Sequence, residues 1–134
     1  MTTQSSQLQA PPNWEGSLPE YLVYRSLIES FGKEEGIDFT YQSSLLGGRL
    51  FKGGVILDFF FNNPPDLAIN VQGEYYHYGM GATYLQNDIM VRQQMAGEGI
   101  NLIFIDESDI LNDVDYYVRE ALNYKDHSRL GAGR

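Results

Sequence analysis

A chain of 134 residues, 43% of them hydrophobic, can bury one core of its own and is too short to divide into two domains. It has no cysteine and only two histidines, which excludes disulfide scaffolds, thiol nucleophiles and zinc–thiolate centres, so any metal is expected to be held mainly by oxygen. Nine basic against eighteen acidic residues give a net charge of −9, which opposes loose attraction to phosphate backbones, and most of the acidity follows residue 57.

Residues 1–16 are polar, with two prolines and no periodicity, and are expected to form a flexible tail before a single domain over 17–124. Ser17-Leu18-Pro19-Glu20 carries a capping-box pattern with proline in the first turn, and Leu22, Val23, Leu27, Ile28 and Phe31 recur near helical spacing, which predicts a helix over 18–31. A strand is expected over 37–42. Two glycine pairs, Gly47-Gly48 and Gly53-Gly54, then bracket Arg49-Leu50-Phe51-Lys52. Val55-Ile56-Leu57-Asp58-Phe59-Phe60-Phe61 predicts a buried strand over 54–61, ended by Asn62-Asn63-Pro64-Pro65, and Leu67–Gln72 predicts a second that returns as a hairpin. An aromatic segment punctuated by glycines, Gly73–Gly81, leads to a helix over 83–96, a strand over 101–105 and a last helix over 113–124. The polar residues 125–134 read as a C-terminal tail. The order is αβββαβα, an α/β class with a mixed sheet between helices.

Asp58 is the informative residue. A carboxylate inside an apolar strand costs several kcal/mol unless it is paired, protonated or bound to a metal, although an aspartate closing a strand end by bonding a loop amide would also explain it. Glu74 and His77 lie just beyond the next strand, which a hairpin brings beside Asp58. A carboxylate, backbone carbonyls and an imidazole together suit Mg²⁺ (or Mn²⁺) and activation of a water. Glu20 is already explained by the capping box. Asp88 and Arg92, four apart, read as a surface ion pair, and Asp106, Glu107 and Asp109 as caps or an acidic turn. No apolar run reaches the ~18 residues of a membrane span, and MTTQSSQLQAPPNW has neither the basic start nor the apolar stretch of a secretory signal, so a cytoplasmic address is expected.

Pro19-Glu20 opening a helix, Asp58 in the second strand, Ile69-Asn70-Val71-Gln72-Gly73-Glu74-Tyr75-Tyr76-His77 ending the third, Asp88 and Arg92 on the next helix and a strand led by Gly99 together resemble the very-short-patch-repair endonucleases of the PD-(D/E)XK restriction-endonuclease-like superfamily, over about residues 18–111. The resemblance implies an αβββαβ core and hydrolysis of a DNA phosphodiester. It further implies Mg²⁺ bound by Asp58 and the Val71 carbonyl, His77 acting on the attacking water, Glu20 reaching the metal's water shell, and Tyr75 and Tyr76 against bases. Arg49 and Lys52 complete the expected substrate-binding set. The superfamily's acid and lysine positions hold Asn70 and Gln72 here, with Glu74 as a conceivable compensating ligand. The competing expectation is a catalytically inactive member of the same fold, serving as a structural, assembly or binding module. A homodimer or membership of a larger complex fits either.

Overall fold

The structure, a computed structural model, describes residues 9–41, 49–51, 55–73 and 82–130. In chain order they form α1 (Leu18–Glu29), β1 (Phe39–Tyr41), β2 (Arg49–Phe51), β3 (Val55–Leu57), β4 (Phe59–Phe61), β5 (Leu67–Gln72), α2 (Ala82–Gly97), β6 (Asn101–Asp106) and α3 (Glu107–Leu122). This is a mixed α/β chain.

The N-cap half of the expected capping box is present, while the Glu20 carboxylate bonds the Tyr41 hydroxyl and not the Ser17 N–H. Ser17 is extended and its Oγ accepts the Glu20 N–H at 3.2 Å, with Pro19 in the first turn, where its missing N–H removes no helical bond. Helix α1 ends at Ser30, slightly earlier than the periodicity suggested, and Gly32 follows at φ +65, a left-handed conformation suited to glycine.

The main sheet has the order β1-β4-β5-β6. β1 and β5 flank β4 antiparallel, and β6 runs parallel to β5 with Leu67 opposite Asn101 and Gln72 opposite Asp106. Two-residue alternation sorts the side chains into two cores. Phe59, Phe61, Leu67, Ile69, Ile103 and Ile105 pack against α1 and α3. Ala68, Leu102 and Phe104 face Met95 and Ile89 of α2 on the other side. The result is three layers with the sheet in the middle.

Two expectations need correction. The strand expected over 54–61 is two strands broken at Asp58, because β3 leaves β4 to pair with β2 in a separate antiparallel ribbon. Leu57 and Phe59, two residues apart, are buried in opposite cores, so the alternation slips at Asp58. The last helix starts at Glu107, well before residue 113. It kinks at Asp113 (φ −161, ψ 78), whose Oδ1 accepts the Tyr116 N–H at 3.3 Å and caps the second segment from within. The periodicity beginning at Asp113 therefore reported that second segment alone.

The stretches read as tails also make contacts. Trp14 stacks on Tyr41 with centroids 4.8 Å apart and meets Tyr21 and Tyr24 at 5.2 and 5.1 Å. Residues 125–130 lie along β6, with Ser128 and Leu130 buried. No helix among the described residues is long and apolar enough to cross a membrane.

Candidate functional site

The break at Asp58 is held by two reciprocal bonds to β5. The Asp58 N–H donates to Asn70 Oδ1 at 2.8 Å, and the Val71 N–H donates to Asp58 Oδ2 at 2.8 Å. Continuing the register of Phe59 with Ile69 would put Asp58 opposite Asn70. There the two side chains take over from the backbone ladder as β3 turns away. Charge assistance makes the Val71–Asp58 bond the stronger of the two. A bond from Asp58 to a main-chain amide was the structural explanation open from sequence, and the amide belongs to strand β5, not to a loop.

Two residues further on, Gln72 is 1% exposed. Ala68, Asn70 and Gln72 share the sheet face covered by α2, and Gln72 Nε2 donates to Asp88 Oδ2 at 2.8 Å. Asp88, expected in a surface ion pair with Arg92, thus joins α2 to the end of β5. Arg92 donates to the Leu130 carbonyl. At the same end of the sheet Asp106 is 3% exposed and precedes α3 as its N-cap residue, but its side chain makes no capping bond. Its Oδ2 accepts the Arg129 N–H at 3.0 Å and lies 3.6 Å from Arg129 Nε. Glu107 Oε1 lies 3.8 Å from where a Cβ on Gly73 would sit. The carboxyl ends of β5 and β6 therefore carry Gln72, with Asp88 bonded to it, and Asp106 opposite it, while Asn70 bonds Asp58 on the β4 side, at the end of the sheet where open α/β sheets place their ligand sites.

Glu20 lies in the first turn of α1. Its carboxylate accepts the Tyr41 hydroxyl, and Tyr41 also donates to the Glu15 carbonyl at 3.2 Å, which ties α1 to the edge strand β1. Gly16, at φ +140, lies close to both Tyr41 and Glu20, where a side chain would collide with the Tyr41 hydroxyl. In the same aromatic cluster Tyr24 donates to Glu35 Oε1 at 2.6 Å, and burial, followed by that bond, pushes its hydroxyl up to about 12.

Glu74, Tyr75, Tyr76, His77 and Lys52 lie outside the described residues, and Arg49 is described only through its backbone in β2. Among the expected site residues, then, the structure brings together Asp58 and Val71. Sequence reasoning missed the bonding roles of Asn70 and Gln72. Their signal was available: two carboxamides on one face of an otherwise apolar strand need partners. Asp126 was missed as well, although Asp126-His127-Ser128 is a local turn pattern in which Asp126 Oδ1 accepts both the Ser128 N–H, at 2.8 Å, and its hydroxyl, at 2.5 Å.

A hard divalent cation needs oxygen donors and can be held by one or two carboxylates, with waters and phosphate completing its shell. Asp58 and the neighbouring main-chain carbonyls satisfy that minimum. Among the described residues no group of three acidic, histidine or cysteine side chains could hold a metal alone. Comparison with family models, with curated protein sequences and with solved structures finds no match for this chain.

Proposed function

We propose that the chain is a Mg²⁺-dependent DNA endonuclease of the PD-(D/E)XK type, resembling the very-short-patch-repair enzymes, that hydrolyses a phosphodiester in branched or distorted DNA. The observation that carries this reading is the Asp58 carboxylate, fixed on the Val71 amide where β3 and β4 part beside the end of β5. A strand break gives an aspartate in an apolar sequence access to a ligand without burying its charge.

In this reading Asp58 and the Val71 carbonyl hold the cation, with Glu74 as a third donor. The bound cation supplies charge neutralisation at the scissile phosphate and lowers the pKa of a water. The chain's own residues do the rest. The Val71 N–H donates to Asp58 Oδ2 and orients the carboxylate. His77 is the residue that accepts a proton from the attacking water. Arg49 and Lys52 offset the repulsion between a chain of charge −9 and the DNA, and Tyr75 and Tyr76 stack on unpaired bases.

A second reading has its own observation. Asn70 and Gln72 stand where the superfamily has an acid and a lysine, and both carboxamides are engaged, Asn70 on the Asp58 amide and Gln72 on Asp88. A site held together this way also suits an inactive fold serving as an assembly or binding module. Cleavage of labelled duplex, mismatched, single-stranded and four-way-junction DNA by the wild type, Asp58→Asn and His77→Ala, with Mg²⁺ or Mn²⁺, separates the two. The nuclease reading expects wild-type cleavage, best on the junction or mismatch, and a loss of about 10² to 10⁴ in rate for His77→Ala. No cleavage by the wild type, or equal cleavage by all three, favours the module.

A further inference from the structure

β6 is an edge of the main sheet, and its sequence Leu102-Ile103-Phe104-Ile105 is apolar throughout. Such an edge is a template for pairing with another chain unless something covers it. In a parallel strand alternate residues bond to the one neighbour, so Phe104, and Leu102 two residues before it, turn their N–H groups outward. The Phe104 N–H is taken at 2.9 Å by Asp126 Oδ2, a side chain in place of a strand.

The segment bearing Asp126 is fastened along its length. Ser128, 1% exposed, closes a turn on Asp126 with both its N–H and its hydroxyl. Arg129 holds Asp106 at the far end of β6 through its main-chain N–H. Leu130 is buried against Phe104 and Met95, with its carbonyl accepting from Arg92 of α2. His127 Nε2 lies 2.9 Å from Glu120 Oε1 and tethers the segment back to α3. Along the first half of the edge it leaves a cleft of about 270 Å³, lined by Arg92, Asn101, Leu102, Ile103, Tyr124 and Asp126.

We propose that residues 125–130 are a strap that closes the β6 edge against a second copy of this chain. Without it the cleft and the Phe104 rung would merge into one apolar edge, and two such edges related by a two-fold axis would offer each other the same outward N–H and C=O groups. The strap caps the Phe104 N–H with a side chain, which adds no further edge, as a fifth strand would. Asp106 spends its carboxylate on the strap and not on capping α3, which links the strap to the start of that helix.

The test compares the full chain, a chain ending at Tyr124, and the full-length Asp126→Ala variant, by light scattering after size exclusion over a range of concentrations and by amide exchange at Phe104. The full chain should stay monomeric, and the shortened chain should form dimers or larger species as its concentration rises. In Asp126→Ala the Phe104 amide should exchange about tenfold faster or more, as expected for losing a charge-assisted bond. A shortened chain that keeps its circular dichroism spectrum and remains monomeric overturns the proposal. If the shortened chain does not fold, exchange in Asp126→Ala decides: faster exchange at Phe104 supports the strap and unchanged exchange overturns it.

Discussion

Replacing Gln72 with alanine tests whether the polar end of β5 is held by the Gln72–Asp88 bond. The side chain is 1% exposed and its donor sits 2.8 Å from a carboxylate oxygen, so the truncation removes a charge-assisted bond of about 1.5 to 3 kcal/mol and leaves a small cavity costing roughly a further 1 kcal/mol. A loss of about 2 to 4 kcal/mol follows, which for a domain of this size lowers the melting temperature by roughly 8 to 16 °C. Urea and thermal unfolding at pH 7 would measure it, with Asp88→Ala and the double variant completing a cycle whose coupling should reach about 1 kcal/mol or more. A loss below about 0.5 kcal/mol, typical of an unimportant surface position, would refute the assignment.

Asn70→Asp places a second carboxylate beside Asp58, since Asn70 Oδ1 now accepts the Asp58 N–H. The variant should melt lower than the wild type in EDTA and recover more than the wild type does in millimolar Mn²⁺, and identical responses would show that no divalent site can form there. Asp38 accepts the Glu34 N–H at 2.8 Å, and that bond, with help from Asn63, holds its pKa below the ordinary 3.8. A depressed carboxyl stabilises the fold above its unfolded pKa, and the contribution is lost as pH falls through the folded value. The melting difference between wild type and Asp38→Asn should therefore be full at pH 7 and shrink as the pH falls below 3.8, and a difference that stays constant through that fall would contradict this.

What could be read in the sequence follows from how local the signal is. Helix α1 was marked by its capping box and β5 by six consecutive residues after a proline turn, and both signals are contained within a few positions. The break at Asp58 was not legible, because Val55–Phe61 is apolar on both sides of the aspartate and pairing with β2 is a tertiary event. The start of α3 was hidden in the same way, since Glu107, Ser108 and Asp109 carry no apolar period and only burial of Ile110 against the sheet recruits them. Residues 125–130 are polar in composition yet ordered, because Asp126 and Arg129 satisfy main-chain and carboxylate groups of β6 that composition cannot reveal. At the site, the position of Asp58 drew notice as a charge in an apolar strand, whereas its bonds to the Asn70 side chain and the Val71 N–H emerged only from the strand register.

The most direct test of the proposed site is a divalent-metal titration of the wild type and Asp58→Asn, followed by thermal unfolding at pH 7 with Mg²⁺, Mn²⁺ or EDTA. If Asp58 is a ligand, the wild type should gain stability with metal concentration, by about 2.7 kcal/mol at a hundredfold excess over the dissociation constant, and Asp58→Asn should gain none. An identical response of the two proteins would remove Asp58 from any metal site and with it the nuclease reading.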